Sequence, residues 1–328
     1  MRNEVYDVLI IGGGPIGLAC GIAAKANNLS HIILEKGCLT NSLYNYPVNM
    51  TFFSSAEKLE VGGIPFVTTN PKPKRAEALE YYRRIDNNFD LNTRLFEEVH
   101  DVIKDRDTGL FTVISSRSTY TARHIVVATG FYDIPMQMDI PGENLPKVRH
   151  YYDDPHYYAK QNVVVIGASN SSIDAALETY RKGANVTLVI RRTEISPRVK
   201  YWVRPDIDNR LAAGEIHVYF ESCLSEITPD SVKIRTQEEE IEIPNDFVLA
   251  LTGYRPNFAF LEHLGIEVPQ DGARIPNHND ATMETNISGL YLAGVVCGGL
   301  NTHLWFIENS RVHADMIIQD ILRKSLNS

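Results

Sequence analysis

Residues Val5 to Ile11 form a short apolar run rich in β-branched side chains, and Gly12-Gly13-Gly14-Pro15-Ile16-Gly17 follows with no spacer. From Leu18 to Asn27 the chain is rich in alanine and other small residues and reads as a helix. Strand, G-x-G-x-x-G and helix in immediate succession is the arrangement of a dinucleotide-binding βα unit. Gly12 permits the tight turn, Gly14 lets the backbone approach a pyrophosphate, and Gly17 lets helix and strand pack closely. Pro15 and Ile16 complete the loop at the start of the helix, whose unpaired N–H groups face the phosphates. A second strand, Ser30 to Leu34, ends at Glu35, where a carboxylate accepts hydrogen bonds from a ribose 2′-OH.

The same order of parts returns further along. Asn162 to Ile166 is a hydrophobic strand, followed by Gly167-Ala168-Ser169-Asn170-Ser171-Ser172 and a helical stretch from Ile173 to Lys182. Ser169 and Ser172 stand where the second and third glycines would be. Each adds a Cβ that limits close approach, and each brings a hydroxyl that can donate to phosphate. The next strand, Val186 to Ile190, ends in Arg191-Arg192. Arginine at the place where the first unit carries Glu35 suits a 2′-phosphate, by charge and by its bidentate fork. The two units therefore read different riboses, one bare and one phosphorylated. That implies two dinucleotides in one chain, NADPH at the second site and FAD or NAD at the first. A simple dehydrogenase needs only one such unit, so the duplication fits electron transfer between cofactors.

At 328 residues the chain exceeds the usual length of one domain, which agrees with two units. Its formal net charge of −9 argues against a nucleic-acid-binding protein. Cys20, Cys38, Cys223 and Cys297 lie too far apart for a CxxC pair, so neither a disulfide framework nor a zinc site is expected, and no metal. The apolar stretch from Val8 to Ala24 lacks a basic n-region and is broken by glycines. Together with the absence of a long apolar run, this points to a cytoplasmic chain with no membrane segment.

Other motifs extend the pattern across the chain. They are Val126-Val127-Ala128-Thr129-Gly130, Ile140-Pro141-Gly142, Leu251-Thr252-Gly253-Tyr254-Arg255-Pro256, and Thr285-Asn286-Ile287-Ser288-Gly289-Leu290-Tyr291-Leu292-Ala293-Gly294. With both fingerprints, this order resembles the two-dinucleotide flavoproteins of the low-molecular-weight thioredoxin reductase fold. More specific strings are similar to the bacillithiol disulfide reductase family. They include Glu35-Lys36-Gly37, Ser42-Leu43-Tyr44-Asn45-Tyr46-Pro47, Thr51-Phe52-Phe53-Ser54-Ser55, Ser171-Ser172-Ile173-Asp174-Ala175-Ala176, Ala293-Gly294-Val295 and Phe306-Ile307-Glu308-Asn309.

The resemblance implies an α/β chain of two Rossmann-like dinucleotide-binding domains, the second inserted in the first. Residues 1–152 and 251–328 would make a split FAD-binding domain, and 153–250 an NADPH-binding domain. FAD would meet Gly12, Gly14, Pro15, Ile16, Gly17, Glu35, Lys36, Ser42, Tyr44, Asn45, Thr129, Gly130, Gly294 and Val295. NADPH would meet Gly167, Ser169, Asn170, Ser171, Ser172, Arg191, Arg192, Gly253 and Tyr254. Tyr44, Tyr46, Phe52 and Phe53 could wall the flavin. The implied activity passes electrons from NADPH through flavin to a low-molecular-weight disulfide such as bacillithiol disulfide, in a homo-oligomer.

The chain departs from the family at one position. Characterised members carry a cysteine in the first glycine loop, where this chain has Ile16. No CxxC replaces it, which excludes a dithiol relay. Cys297, just beyond the Leu290–Gly294 strand, is the remaining catalytic candidate, because a helix N-terminus there would favour its thiolate. Without the loop cysteine, direct reduction of the disulfide by flavin or a non-thiol acceptor gains weight. One alternative is a ferredoxin–NADP reductase, whose partner is a small redox protein. A flavin monooxygenase comes third, since Pro146 stands where that class places the histidine of F-x-G-x-x-x-H. A protein that binds NADPH without turnover is the remaining option. Outside these sites, Glu238-Glu239-Glu240 reads as a solvated hairpin and Pro71-Lys72-Pro73-Lys74-Arg75 as a solvated basic loop before a helix, the alternative being attraction of an acidic substrate; His303 and Trp305 read as core or interface residues, the alternative being contact with substrate or flavin.

Overall fold

The computed structural model describes residues 5–326. The chain divides into two units. One takes in the chain up to Asn45, Met50–Ile134 and the chain from Tyr254 onward; the other takes in Tyr46–Asn49 and Pro135–Gly253. These bounds differ from the expected ones. Residues 135–152 go with the second unit because the short strand at Val148–Arg149 pairs with the strand Phe247–Ala250. Residues 46–49 join them, with Val48 N–H donating to Asp153 O at 3.2 Å.

In the first unit β1 (Val5–Ile11) leads through the glycine loop into α1 (Pro15–Ala26) and then β2 (His31–Leu34). α1 begins earlier than its composition suggests because Pro15 sits at the first helical position, where its missing N–H has no partner to lose. A short helix α2 (Asn41–Tyr44), the longer α3 (Arg75–Phe89) and strands β3 (Thr93–Arg94), β4 (Val99–Lys104), β5 (Phe111–Ser115) and β6 (Thr119–Val127) complete this part. The sheet has seven strands in the order β3-β2-β1-β6-β5-β4, with the late strand Leu290–Leu292 also paired to β6. β1 lies parallel to β2 and to β6, with Ile11 opposite Leu34 on one side and Val127 on the other.

Val8, Leu9, Ile10 and Ile11 are all buried, as expected of a parallel strand covered on both faces. Burying each large aliphatic side chain of this kind contributes roughly 1.5–3 kcal/mol. α1 can lie close on the sheet because Gly21 faces Ile33: a Cβ there would come within 2.8 Å of the Ile33 Cδ1.

The second unit follows a two-residue strand β7 (Ile134–Pro135) at the division. It contains β8 (Val148–Arg149), β9 (Asn162–Ile166), α4 (Asn170–Arg181), β10 (Asn185–Val189), α5 (Arg204–Ala212), β11 (His217–Tyr219), β12 (Cys223–Ile227), β13 (Ser231–Arg235), β14 (Glu240–Pro244) and β15 (Phe247–Ala250). Its main sheet runs β11-β10-β9-β15-β8, with every adjacent pair parallel. β12, β13 and β14 form a separate antiparallel sheet. Glu238 and Glu239 are exposed in its last turn and Glu240 opens β14, in keeping with a solvated hairpin. A core of Val163, Val165, Ile173, Ala176, Leu188 and Leu249 packs α4 on the sheet. In each unit the two strands beside the glycine-loop strand, β2 and β6 or β10 and β15, both follow it in the chain and lie on opposite sides of it in the sheet. Such a switch point opens a crevice beyond the carboxyl ends of the strands.

Candidate functional site

At the carboxyl edge of the first sheet, backbone hydrogen bonds gather four loops. Gly12 N–H donates to Leu34 O at 2.8 Å, Thr40 N–H to Gly13 O at 3.1 Å, Ala128 N–H to Ile11 O at 2.8 Å, and Ala293 N–H to Val127 O at 3.0 Å. The glycine loop, residues 35–40, residues 128–130 and residues 293–295 thus share one crevice. Gly12 has φ +110°, and a Cβ on it would lie 2.5 Å from Ala128 O; on Gly17 a Cβ would lie 1.9 Å from Gly12 O. A Cβ on Gly14, by contrast, meets nothing within 4 Å. The loop is therefore tight against its own strand at the first and third glycines and open at the second, which is the shape a pyrophosphate requires.

Glu35 closes this crevice from beneath. It is 6 % exposed, and its Oε2 accepts from Gly13 N–H at 2.7 Å while Oε1 accepts from Gly37 N–H at 2.8 Å. Burial raises its pKa above the ordinary carboxylate value, against the lowering effect of those two bonds. Each carboxylate oxygen has a second lone pair, so a ribose hydroxyl can still be accepted. Lys36 is paired with Asp133 at 2.7 Å. Ser42 is half-buried, whereas Tyr44 and Asn45 are exposed. Arg75 spans this turn, its Nε donating to Leu43 O at 3.2 Å and its guanidinium lying 5.3 Å from the Tyr44 ring centre. The expected basic loop thus ends in an anchored arginine. Phe52 is buried and Phe53 exposed, so the two do not share a wall. Tyr46 falls in the second unit.

Gly294 and Val295 follow the strand Leu290–Leu292 into a single 3₁₀ turn. Gly294 has φ +86°, and a Cβ there would sit 3.3 Å from Ile16. Its N–H donates to Nδ1 of the buried His313 at 3.1 Å, which makes that nitrogen the acceptor and leaves the ring proton on Nε2. Burial, and secondarily His278, lowers the His313 pKa to about 4. Trp305 packs edge-on against the same ring with centroids 4.6 Å apart, while His303 is exposed.

The expectation for Cys297 is overturned here. It is 1 % exposed, and burial raises its pKa instead of favouring the thiolate. Its sulfur faces His313 Nδ1 at 3.9 Å. Cys20, inside α1, is also fully buried, and burial pushes its thiol up to about 12. Cys38 is partly buried with a raised pKa, again from burial first. Ile16 fills the glycine-loop position with a hydrocarbon, so this crevice presents no activated thiol.

The second crevice is built in the same way. Gly167 N–H donates to Val189 O at 3.2 Å and Leu251 N–H to Ile166 O at 3.2 Å. Gly167 has φ +126°, and a Cβ on it would lie 2.7 Å from Leu251 O. Ser169 and Ser171 are exposed at the head of α4. Ser172 is not available to a phosphate: it is buried, accepts from Ser169 N–H at 3.1 Å and donates to Ser169 O at 2.9 Å. The serine in the third glycine position is a helix cap. Asn170 is likewise engaged at both ends of its amide, by residues 198 and 200. Arg191 and Arg192 are exposed beyond the carboxyl end of β10. Gly253 has φ +103° and open space at its Cβ, and Tyr254 falls in the first unit, its ring 4.3 Å from that of Tyr132.

Sequence reasoning missed Asp133, His313 and Lys200, and saw Arg75 only as part of a basic loop. Each meets its partner across a long stretch of chain, and no local spacing announces such contacts. Among the described residues no group of three or more His, Cys, Asp or Glu side chains is placed to hold a metal ion, and no helix is long and apolar enough to cross a membrane.

Residues 9–294 match the family model of the pyridine nucleotide-disulphide oxidoreductases. The chain is 44 % identical over 317 residues to the bacilliredoxin reductase Bdr of Bacillus subtilis, covering 96 % of this chain and 97 % of that one. The bacillithiol disulfide reductase Bdr (YpdA) of Bacillus cereus superposes with a TM-score of 0.95 at 41 % identity, covering 98 % and 100 % of the two chains. That of Staphylococcus aureus gives 0.95 at 39 % identity, covering 98 % and 99 %. A thioredoxin reductase of Lactococcus lactis gives 0.78 at 20 % identity over 98 % and 100 % of the chains, a likeness of fold alone.

Proposed function

The chain belongs to the pyridine nucleotide-disulphide oxidoreductase family, within its bacilliredoxin reductase branch, and from that premise we propose that it reduces a low-molecular-weight disulfide with NADPH through bound FAD. It is a flavoprotein oxidoreductase with a flavin and a nicotinamide cofactor. The finer assignment is FAD in the first unit and NADPH in the second. It is carried by one contrast between two similar crevices. The buried carboxylate Glu35 stands at the end of β2, and the exposed pair Arg191-Arg192 stands at the end of β10. An anionic group beneath the first site accepts from a bare ribose and repels a phosphorylated one, and two guanidinium groups do the reverse.

The protein's part in the reaction is to hold and orient. Gly14 leaves room for a pyrophosphate, and the first-turn N–H groups of α1 and α4 point into their crevices with no intrahelical acceptors. Neutral His313 accepts the N–H of Gly294 and so ties the start of the 294–295 turn to a buried ring. FAD, when bound, supplies the two-electron carrier between nicotinamide and disulfide. Overall, one NADPH and one proton convert one disulfide to two thiols and NADP⁺. Since Ile16, Cys20 and Cys297 offer no accessible thiolate, we assign no protein mixed disulfide to the cycle. The four cysteines are all unpaired, which supports a reducing compartment such as the cytosol.

Bacillithiol disulfide is the first substrate to test, after the names of the two solved relatives. Purified holoenzyme is given NADPH and bacillithiol disulfide while thiol release and oxygen uptake are recorded together. The expected result is two thiols per NADPH above the oxidase background. Consumption of NADPH wholly accounted for by oxygen would remove this substrate and bring a small redox protein forward as acceptor.

A further inference from the structure

Beyond Arg191-Arg192 the chain of the second unit returns to its glycine loop and is fastened there by side chains that the mechanism above does not use. Ser196 N–H donates to Ala168 O at 2.9 Å. Asn170, the first residue of α4, is bound to this loop at both ends of its amide. Its Nδ2 donates to Arg198 O at 3.2 Å, and its Oδ1 accepts from Lys200 N–H at 2.8 Å. One turn further along α4, Asp174 accepts from Lys200 Nζ at 2.6 Å. The Lys200 side chain is only 7 % exposed. An ammonium taken out of water this far is tolerated only with a partner, so the pair is a fixed tether.

The pair also has an electrostatic consequence. Asp174 is the fifth residue of α4, so its Cα stands about 6 Å along the axis from the first. A bare carboxylate there lies within a Debye length of about 8 Å of any phosphate at the head of the helix, where salt screens little. It would oppose the positive field of the helix N-terminus that makes this crevice an anion site. Lys200 cancels that charge from the buried side.

We propose that Asn170 and the buried Lys200–Asp174 pair are positioning residues for the nicotinamide dinucleotide, fastening residues 196–200 across the first turn of α4 and neutralising a carboxylate one turn behind the head of that helix. This rests on the reading of the second unit as the NADPH site. Asn170 therefore acts through the loop it holds and is not itself a phosphate ligand. Because the anchor works at the pyrophosphate end, it affects NADPH and NADH alike, unlike the arginines at the ribose end.

The test uses purified holoenzyme, with KM and kcat for NADPH and NADH, NADP⁺ binding to the oxidised enzyme, and Tm. In Asn170→Ala and in Lys200→Met, KM for both nucleotides is expected to rise about tenfold while kcat stays within about twofold, the signature of lost binding shared by ground and transition states. The double variant Asp174→Asn/Lys200→Met leaves no bare charge and should recover most of the loss seen in Lys200→Met. A purely structural role would lower Tm in the variants and leave KM unchanged, and that result overturns the proposal. So does a double variant no better than Lys200→Met. Should Lys200→Met fail to fold, Asn170→Ala, which removes no charge, decides alone. Wild-type enzyme that binds no NADP⁺ would instead sink the nucleotide assignment beneath it.

Discussion

Cys20 and Cys297 lie in the part of the first unit where a thiol would be of most use, and burial keeps both protonated at neutral pH. If neither takes part in turnover, Cys20→Ala and Cys297→Ala will each keep kcat for the disulfide within about twofold of the parent, since a buried thiol acts as a small apolar side chain. A hundredfold fall in either, with Tm preserved, would restore a thiol step. His313 gives a prediction in pH. Burial lowers its pKa from the ordinary 6.5 to about 4, so the unfolded chain binds its proton first as pH drops. The stabilisation from keeping this ring neutral is full above pH 6.5, shrinks as pH falls below it and levels off near pH 4. The integrated loss is on the order of 3 kcal/mol. Unfolding free energies from denaturant titrations between pH 7 and 4 should decline less steeply in His313→Gln than in the parent. Equal slopes would mean that the buried ring does not titrate across this range.

At the scale of elements, the ends of strands carry the chemistry. β2 and β10 occupy equivalent places in their sheets, next to the glycine-loop strand, and differ in what stands beyond their last residue. Replacing Arg191 and Arg192 together by alanine should raise KM for NADPH by roughly a hundredfold or more, since hydrogen bonds to charged groups contribute about 1.5–3 kcal/mol each. KM for NADH should scarcely move. Equal changes for both nucleotides, or none, would show that these arginines do not read the 2′-phosphate. The heads of the two helices differ as well. In α1 the third glycine is needed because a Cβ would meet Gly12 O at 1.9 Å, whereas in α4 a serine is accommodated there and caps the helix. The fingerprint spacing announces the turn in both cases, but only the packing shows that Ser172 faces inward and leaves the phosphates to its neighbours.

For the molecule as a whole, a nucleotide that binds only the folded second unit must stabilise it by mass action. At free NADP⁺ a hundredfold above its Kd the gain is about 2.7 kcal/mol. Calorimetry should show an upward shift in the transition of the parent, and a much smaller one at the same concentration in the Arg191→Ala/Arg192→Ala double variant. A parent insensitive to NADP⁺ would argue against a preformed nucleotide site in that unit.

What the sequence determined by itself was whatever local chemistry must satisfy locally. Strand, glycine turn and helix occupy consecutive residues in both units, so the two turns, where Gly12 and Gly167 have positive φ, and the residues beyond β2 and β10 were legible without a structure. The family strings then carried the order of the remaining parts. What only the tertiary structure decided depends on residues far apart in the chain. Whether Cys297 is a thiolate rests on its burial, which follows from how the 3₁₀ turn packs beside His313. Whether Asn170 is a ligand or a clamp rests on a loop that begins twenty-six residues later and folds back onto it. That residues 135–152 go with the second unit is marked by the pairing of Val148–Arg149, a two-residue strand too short to leave a periodic signal. Desolvation and long-range pairing are properties of the packed molecule, and a one-dimensional pattern carries neither.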